Sequence, residues 1–258
     1  LTFFIISLYF YVQGVTLFDY SIIVPISLLT FLGCYDDIYN LDFKLKFIFQ
    51  IIAAKIIVDN GLLIDNFHGV FGIFEVNRAF AQFLTIFIII SIINSINFID
   101  GIDGLAISVF SVFIIAFEFF SISSSPLMNF SIITISSILP LYYFNFRKTD
   151  KVFLGDSGSH LLGGIISIYT VYILSNDYLI EEQYDIHKIL FVFSILSYPI
   201  IDLIRIFYLR ISKGNSPFVA DRNHIHHLLH IRFKSHLIVL LIIIVSVLSL
   251  MLMIQLLF

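Results

Sequence analysis

The chain has 258 residues, of which 59% are hydrophobic and 12% are charged, and its formal net charge is −4. Soluble domains carry about a quarter charged residues, so this composition excludes an ordinary soluble protein and predicts an integral membrane protein. The single cysteine, Cys34, excludes a disulfide framework and a metal site built from paired cysteines.

Nine continuous hydrophobic runs are predicted to be transmembrane helices. They lack the two-residue alternation of barrel strands, and most approach the length of about twenty residues that a helix needs to cross a bilayer. The fold class is therefore predicted to be all-α, a polytopic transmembrane helical bundle. The nine predicted spans cover residues 1–12, 21–35, 46–58, 80–96, 104–121, 128–144, 159–175, 188–208 and 236–258.

These runs are predicted to form one membrane domain over residues 1–258, because no soluble domain or flexible linker separates them. The sequence begins inside one hydrophobic run and ends inside another, so we expect the domain to be incomplete at its N-terminus and at its C-terminus. The outer loops are predicted near residues 13–20, 59–79, 121–127 and 176–187.

Four polar segments interrupt the hydrophobic runs, and they are expected on the same side of the membrane. Two predicted spans separate each segment from the next, and an even number of crossings returns a chain to the face that it left. Most of the fourteen Lys and Arg residues lie in or beside these segments, so the positive-inside rule predicts that this face is cytoplasmic. The four segments are residues 36–46, 94–104, 151–159 and 221–227.

The first two segments provide carboxylate and amide side chains. Asp36 and Asp37 are adjacent at a membrane boundary, where their repulsion requires a cation or strong hydrogen bonds. The structural alternative for this pair is a helix cap beside a solvated loop. Asn94, Asn97 and Asp100 recur at helical spacing on one face, and the glycines after them permit a close approach of the backbone to a ligand. Inward-facing polar groups at the mouth of two spans favour a polar ligand over helix-packing amides.

The third segment contains Gly-Asp-Ser-Gly-Ser at residues 155–159, directly before a predicted span. Backbone amides at the start of a helix favour an anionic group, and Asp156 is a suitable ligand for a hard cation. The segment lacks the spacing of a Walker loop, which disfavours an ATPase. The structural alternative is that Ser157 caps the helix.

The fourth segment combines three histidines with Asp221 and Arg222. Zinc binding is one interpretation, but the spacing differs from His-Glu-x-x-His and no cysteine assists. Because several other basic residues lie nearby, phosphate binding is the preferred interpretation. Asp202 and Arg205 lie three residues apart within the eighth predicted span. The sequence leaves open whether this pair neutralises itself or borders the site.

Together the four segments offer oxygen ligands for a hard cation, and cationic and histidine donors for phosphate groups. This combination predicts Mg²⁺-assisted phosphoryl transfer between a water-soluble phosphorylated donor and a lipid acceptor. An ion-coupled transporter is disfavoured, because the polar residues cluster at one boundary and no internal repeat is visible. A structural or scaffold membrane protein is a second alternative, and the four intact polar segments argue against it.

The motifs resemble those of the polyprenyl-phosphate N-acetylhexosamine-1-phosphate transferases, the MraY- and WecA-like glycosyltransferase family 4. The resemblance covers nearly the whole chain in order, and the segment that ends in the histidines is similar to the WecA-like branch. An early cytoplasmic loop of the family has no counterpart, because the chain begins at what resembles the second span. The matching motifs are Asp36-Asp37, residues 94–105, residues 152–159 and His224-Ile225-His226-His227.

The resemblance implies a role for each matching residue. Asp36 and Asp37 match the catalytic aspartate pair, Asp156 matches the magnesium ligand, and Asn97 matches a second residue of the metal site. Other positions match the uracil-binding region, or the loop that engages the phosphate or sugar portion of the donor. The implied substrate-binding residues are Asn94, Asp100, Gly101, Asp103, Phe153, Arg222, His224, His226 and His227.

The implied reaction transfers a sugar 1-phosphate, expected to be N-acetylglucosamine 1-phosphate, from a UDP-N-acetylhexosamine to undecaprenyl phosphate and releases UMP. The implied cofactor is Mg²⁺, with Mn²⁺ as an alternative ion. UDP-MurNAc-pentapeptide and other UDP-sugars are alternative donors. Direct in-line attack by the lipid phosphate is preferred, and a covalent aspartyl intermediate is left open.

The resemblance also implies where the protein acts and what surrounds it. The expected location is the bacterial inner membrane, with many crossings and an active site that faces the cytoplasm, at the first membrane step of cell-envelope polysaccharide synthesis. Membrane lipids are expected partners, a homodimer is left open, and no nucleic acid is expected.

Overall fold

In a computed structural model, the described residues are 1–16, 18–67, 69–121, 127–147, 149–176, 186–218 and 221–257. This part of the chain forms eleven α-helices and two short 3-10 helices, Tyr20–Ile22 and Val70–Gly72. The predicted all-α fold is confirmed. The helices are α1 (Thr2–Val12), α2 (Ile23–Tyr39), α3 (Phe43–Asp59), α4 (Arg78–Ile99), α5 (Leu105–Phe120), α6 (Met128–Asn145), α7 (Gly155–Ser175), α8 (Ile186–Ile195), α9 (Ser197–Ser212), α10 (Ile225–Phe233) and α11 (His236–Leu257).

The helices differ in their capacity to cross a membrane. Within the described residues, four segments are long and apolar enough to do so alone: Tyr20–Tyr39, α4, α7 and α11. The pair α8 and α9 provides a fifth candidate, which is bent by 70°. The fold is thus that of an all-α membrane protein. Each of the nine predicted spans coincides with a helix or a helix pair, but the count of nine crossings stays a prediction.

The bend between α8 and α9 has a local cause in the sequence. Leu196 separates the two helices, and Pro199 follows in the first turn of α9. Proline has no N–H to donate to the carbonyl four residues earlier, here that of Ile195, and its ring crowds that carbonyl. The bend directs α9 so that Asp202 lies beside the loop that precedes α10.

Helix α7 lies at the centre of the bundle and packs most extensively against α2 and α4. Glycines permit these close crossings. A Cβ on Gly33 of α2 would overlap the backbone of Asp156, and a Cβ on Gly163 of α7 would lie 2.8 Å from the Cα of Ile93. The ends of α2 and α4 are therefore held against the first turn of α7.

Several polar residues lie on helices rather than between them. Helix α2 was predicted to end at residue 35 but continues to Tyr39, where Asn40 adopts a left-handed conformation with φ of 50°. Helix α3 begins at Phe43, before its predicted start. Polar side chains do not interrupt the backbone hydrogen bonds of a helix. Hydropathy alone therefore placed the end of α2 too early and the start of α3 too late. The predicted outer loops near 121–127 and 176–187 fall largely outside the described residues.

Candidate active site

The four polar segments meet at one end of the bundle. They contribute the last turns of α2 and α4, the first turn of α7, and the loop before α10 with the first turn of that helix. The amide of Asp156 donates to Asp37 at 2.8 Å, Asn97 donates to Asp156 at 2.9 Å, and Gly101 lies directly against the ring of His226. The structure therefore brings together residues that are far apart along the chain. That this end faces the cytoplasm stays a prediction.

Asp37 caps α7 from a neighbouring helix. Its Oδ1 accepts the amide hydrogen of Asp156 at 2.8 Å, and its Oδ2 accepts that of Ser157 at 3.0 Å. The first amides of a helix have no partner within the helix, and the positive end of its dipole favours a carboxylate. Gly155, with φ of +67°, leaves room for this approach, since a Cβ there would lie 2.9 Å from Oδ2. The sequence also allowed Asp36 and Asp37 to act as a helix cap. Asp37 does act as a cap, but for α7 rather than for its own helix.

Asp36 points in a different direction from Asp37 and is almost fully buried, with 3% of its surface exposed. It forms an ion pair with Lys46 of α3 and accepts the amide hydrogen of Leu41 at 2.7 Å. The Lys46 ammonium also lies 3.3 Å from Oδ2 of Asp156. One lysine therefore bridges two carboxylates that come from different helices.

The carboxylate of Asp156 is held by the side-chain amide of Asn97 as well as by Lys46. Asn97 of α4 donates from Nδ2 to Oδ1 of Asp156 at 2.9 Å and to the hydroxyl of Ser159 at 2.8 Å. The nitrogen of Asn97, and not its oxygen, faces the carboxylate. In this arrangement Asn97 orients Asp156, and its expected contact with a metal stays a prediction.

Asp36, Asp37, Asp100 and Asp156 form a group that we call the acidic cluster, with Lys46 as its neighbouring cation. Burial, together with the negative charges of Asp156, Asp37 and Asp103, raises the pKa of Asp100 to about 7 from its usual 3.8. Burial is the larger cause, and the repulsion from the neighbouring carboxylates adds to it. Carboxylate oxygens that lack counter-charge are the ligands that Mg²⁺ prefers, so the residues present fit a divalent cation.

Asp103 lies in the turn after α4 and has its own counter-charges. Lys151 approaches Oδ1 at 2.5 Å, and Nδ1 of His236 lies 2.7 Å from Oδ2. The Lys151 ammonium also lies over the ring of Phe153, 5.0 Å from its centroid. Phe153 is 69% exposed, which leaves its ring accessible to a planar ligand. The structure therefore places Asp103 and Phe153 together through Lys151.

The segment of residues 221–227, which we call the histidine loop, is held by several residues of α9. Nδ1 of His224 lies 2.7 Å from Asp202, whose other oxygen accepts the amide hydrogen of Ile225 at 2.9 Å. Nδ1 of His226 lies 2.9 Å from the hydroxyl of Tyr198. The partner of Asp202 in the site is thus a histidine, while the Arg205 guanidinium is 3.9 Å away and donates to the carbonyl of Asn223 at 2.7 Å.

His226 links the histidine loop to the acidic cluster. Its ring is fully buried, and burial, with the charges of His227 and His224, lowers its pKa to about 3. A Cβ on Gly101 would overlap its Nε2, so only glycine permits this contact. Among the residues that the structure describes, none hydrogen-bonds to Nε2. A buried, neutral imidazole nitrogen therefore lies at the junction of the two regions.

The zinc interpretation has a structural counterpart in Asp202, His224 and His226, whose candidate ligand atoms lie within 4.8 Å of one another. Yet the rings of His224 and His226 are stacked, with an interplanar angle of 17° and centroids 5.3 Å apart. Imidazole binds a metal through a lone pair in the plane of its ring, and stacked rings direct these lone pairs side by side rather than toward one ion. The geometry of the two rings therefore favours the interpretation that the histidine loop binds phosphate rather than zinc.

Two charged residues of the histidine loop have different surroundings. Asp221 accepts from Nε of Arg210 at 3.1 Å. Although burial opposes ionisation, hydrogen bonds from Arg210 and Asn223 hold the pKa of Asp221 well below its usual value. Arg222 is exposed, and burial together with the charges of His224 and Arg222 lowers the pKa of His227. Asp221 is therefore structural, whereas Arg222 is accessible to a ligand.

Sequence reasoning did not assign several residues that the structure brings into the site. Lys46 and Gln50 are four residues apart on α3 and both face α7, where Lys46 contacts Asp156 and Gln50 contacts His160. An isolated polar residue inside an apolar run is a signal for such positions, because it is costly in a membrane without a partner. The residues missed in this way are Gln50, Asn145, His160 and Tyr198. Lys46 and Ser159 lie within the polar segments but were given no role, and the role of Asp202 was left open.

Comparison with known proteins places these motifs in a family. The family model described as Glycosyl transferase family 4 matches residues 20–174, which is more than half of the chain. The chain belongs to glycosyl transferase family 4. The matched region contains the acidic cluster and its supporting helices, while the histidine loop lies beyond it.

Curated relatives are similar over part of the chain. An undecaprenyl-phosphate alpha-N-acetylglucosaminyl 1-phosphate transferase of Pasteurella multocida is 37% identical over 99 residues, covering 37% of this chain and 26% of the relative. Proteins of the same name are 36% identical over 105 residues in Haemophilus influenzae and 39% identical over 100 residues in Escherichia coli K12, covering 28% and 25% of those relatives. The matches thus span about a quarter of the length of these relatives.

Proposed function

We propose that this protein transfers N-acetylglucosamine 1-phosphate from UDP-N-acetylglucosamine to undecaprenyl phosphate, with release of UMP. The observation that carries the proposal is the acidic cluster, which combines four carboxylates with one neighbouring lysine at the end of a membrane bundle of glycosyl transferase family 4. The identity of the sugar and of the lipid acceptor is supported by the names of the relatives.

Asp156 is the proposed principal ligand of Mg²⁺, with Asp36 as its neighbour across Lys46. Mn²⁺, which also prefers oxygen ligands, is the alternative ion. When bound, the metal would neutralise negative charge on the diphosphate of the donor. Asn97 holds the Asp156 carboxylate by a hydrogen bond, and Asp37 fixes the start of α7, so both act on the position of Asp156. The chain thus supplies a preorganised anionic site rather than a flexible one.

The donor is proposed to lie between the acidic cluster and the histidine loop. Exposed Arg222 and the imidazoles of His226 and His227 face this region with groups that hydrogen-bond phosphate or sugar oxygens. The exposed ring of Phe153 offers a stacking surface for uracil, with Lys151 and Asp103 behind it. This placement lets the two halves of the donor contact different elements.

The acceptor phosphate is proposed to attack the donor directly and in line. A phosphate monoester is mostly ionised near neutral pH, so its oxygen is a nucleophile without a strong general base. This is consistent with both aspartates of the pair being engaged, Asp37 by two amides and Asp36 by Lys46. The role of Asp36 is then to hold Lys46 and the local charge in place rather than to form a covalent intermediate.

An assay with the purified protein tests this proposal. Undecaprenyl phosphate, Mg²⁺ and one of several UDP-sugars would be supplied, and UMP release would be measured. We expect release that requires both lipid and metal, with UDP-N-acetylglucosamine preferred. Preference for UDP-MurNAc-pentapeptide or for another UDP-sugar would overturn the donor assignment, and absence of release with every donor would overturn the proposed activity.

The site is proposed to face the cytoplasm from the inner membrane of a bacterium. The clustering of Lys46, Lys151, Arg210 and Arg222 at the site end of the bundle supports this orientation. A cysteine placed at exposed position 215, between α9 and the histidine loop, in a variant that lacks Cys34 would report the side directly. We expect an impermeant thiol reagent to label it only after the cells are opened, and labelling of intact cells would contradict the orientation.

A further inference from the structure

A chain of buried polar side chains joins three helices beneath the acidic cluster. Gln50 of α3 is 2% exposed and His160 of α7 is 1% exposed, while Asn94 of α4 is half-buried. Nε2 of Gln50 lies 3.2 Å from Nε2 of His160, and Nδ2 of Asn94 donates to Oε1 of Gln50 at 2.8 Å. Nδ1 of His160 lies 2.7 Å from the carbonyl oxygen of Asp156. We call these three residues the amide–imidazole relay.

The chemistry of the partners sets the direction of each bond. A carbonyl oxygen only accepts, so Nδ1 of His160 carries the hydrogen and donates to Asp156. In the neutral ring Nε2 is then an acceptor, which Gln50 satisfies with its amide N–H. The Gln50 oxygen is left to accept from Asn94, whose second amide hydrogen goes to the carbonyl of Ile90 at 2.8 Å. Every donor in the relay thus has a partner, and the sequence of bonds ends at Asp156.

The first turn of α7 depends on such external support. Its N-cap residue, Leu154, offers no side-chain hydrogen bond. The turn is instead held from α2 by Asp37, from α4 by Asn97, and from α3 by Lys46. Lys46 and Gln50 are one helical turn apart on the same face of α3, so one contacts the carboxylate of Asp156 and the other reaches its carbonyl through His160.

We propose that Gln50, His160 and Asn94 are positioning residues that fix the first turn of α7 and thereby the carboxylate of Asp156. Gln50 and Asn94 act through His160, and none of the three is proposed to touch the reacting atoms. This reassigns Asn94, whose amide group is directed at Gln50 and Ile90, from substrate contact to support. The part of the proposal that concerns the metal rests on the proposed function, whereas the part that concerns α7 does not.

Isosteric variants test the relay with two readouts that do not require turnover. Gln50→Met keeps the size of the side chain and removes its hydrogen bonds to His160 and Asn94. His160→Asn places an amide nitrogen near the position of Nδ1 and loses the contact with Gln50. The readouts are binding of Mn²⁺ alone, followed by electron paramagnetic resonance, and hydrogen–deuterium exchange of the amides in residues 155–160.

We expect Gln50→Met to weaken Mn²⁺ binding by about tenfold, the lower end of the effect of removing an outer partner of a metal ligand. Exchange at residues 155–160 should accelerate, and His160→Asn should behave similarly. Asn94→Leu, one step further from Asp156, should have a smaller effect in both measurements. Ser246→Ala removes a hydrogen bond within α11, far along the chain from the relay, and should change neither.

Unchanged Mn²⁺ binding and unchanged exchange in folded Gln50→Met would overturn the proposal. If that variant does not fold, as judged by gel filtration and thermal melting, His160→Asn decides by the same criteria. A wild-type protein that releases no UMP, while Gln50→Met still accelerates exchange at residues 155–160, would contradict the proposed function and leave the relay supported. Full transferase activity with no effect of the variants would contradict the relay alone.

Discussion

The acidic cluster and the histidine loop lie at the same end of the bundle but differ in their balance of charged groups. In the acidic cluster, carboxylates outnumber the neighbouring cation Lys46, and the pKa of Asp100 is raised to about 7 by burial and by the surrounding negative charges. In the histidine loop, burial and neighbouring positive charges lower the pKa of His226 to about 3. One region is therefore short of positive charge, and the other keeps its imidazole neutral.

This difference teaches how the two regions divide the binding of a charged donor. A region with surplus carboxylates favours a divalent cation, whereas a region with neutral imidazole and an exposed arginine favours phosphate or sugar oxygens. Gly101 joins the two, because its missing side chain lets His226 approach the turn that follows α4. Variants that alter one region and leave the other intact separate these contributions.

The largest expected effect comes from Asp156→Asn. It removes the negative charge on which Lys46 and Asn97 converge. We expect transferase activity to fall by about 100-fold or more, as when one preorganised electrostatic group is removed from an active site, and Mn²⁺ binding to weaken. The matched control is Asp59→Asn, at the far end of α3, where the carboxylate is exposed and pairs with Lys55. Full activity of Asp156→Asn would refute the site assignment.

Gly101→Ala tests the junction of the two regions. The added Cβ would overlap Nε2 of His226, and this ring is fully buried, so the histidine loop has to move. We expect a large loss of kcat/KM for UDP-N-acetylglucosamine, of about tenfold for each 1.4 kcal/mol of strain, with Mn²⁺ binding nearly unchanged. An equal loss of metal binding would show that the two regions are not separable.

Tyr198→Phe tests the histidine loop alone. It removes the hydroxyl that lies 2.9 Å from Nδ1 of His226 and leaves a buried nitrogen without its partner. The cost of an unsatisfied buried group is about 1–3 kcal/mol, and we expect the KM for the donor to rise severalfold. Tyr143→Phe, at an exposed tyrosine of α6, is the control and should behave as wild type. A loss of metal dependence in Tyr198→Phe would count against the division of roles.

The aspartate pair provides a comparison within the acidic cluster. Asp37→Asn replaces one of two acceptor oxygens at the start of α7 with a donor, and loss of a helix cap costs about 1 kcal/mol. We therefore expect a lower melting temperature and a modest loss of activity. Asp36→Asn disrupts the ion pair with Lys46 instead and should reduce activity more than stability. Indistinguishable profiles of the two variants would contradict their different placement.

The smallest effect is expected from pH, and it concerns the stability of the fold rather than turnover. In the absence of a divalent cation, the folded protein holds a proton on Asp100 up to about pH 7, whereas the unfolded chain releases it near 3.8. This contribution to stability is present at low pH and is lost as pH rises from about 4 through 7. Melting curves should show the loss, Asp100→Asn should flatten it, and Mg²⁺ should offset it at pH 8 more than at pH 5.5. A wild-type curve that matches Asp100→Asn would exclude the raised pKa.

Much of the fold and the membership of the site could be predicted from local patterns. Continuous apolar runs indicated an all-α membrane fold, and the four polar segments contained Asp36, Asp37, Asn97 and Asp156. The prediction that these segments share one side followed from the parity of crossings, and the structure brings them to one end of the bundle. Membership of the family was also predicted from the motifs and is confirmed by the match over residues 20–174.

These patterns did not predict the ends of the helices or the hydrogen-bond partners of the polar side chains. Hydropathy ended α2 before Asp36, yet the helix continues to Tyr39 because its backbone hydrogen bonds do not depend on side-chain polarity. Gln50 lies in an apolar run with nothing nearby in sequence to pair with, and its partners are 44 and 110 residues away. A single sequence without tertiary contacts contains no signal for such pairings.

The sequence by itself determined that this chain belongs in a membrane and which polar side chains have to be accommodated there, because the cost of placing polar groups in lipid depends on local composition. Only the tertiary structure decided what each group does. Asp36 and Asp37 are neighbours of the same chemical type, yet one binds Lys46 and the other caps α7. Adjacent residues on a helix point about 100° apart, so their partners are set by the helices packed on each side.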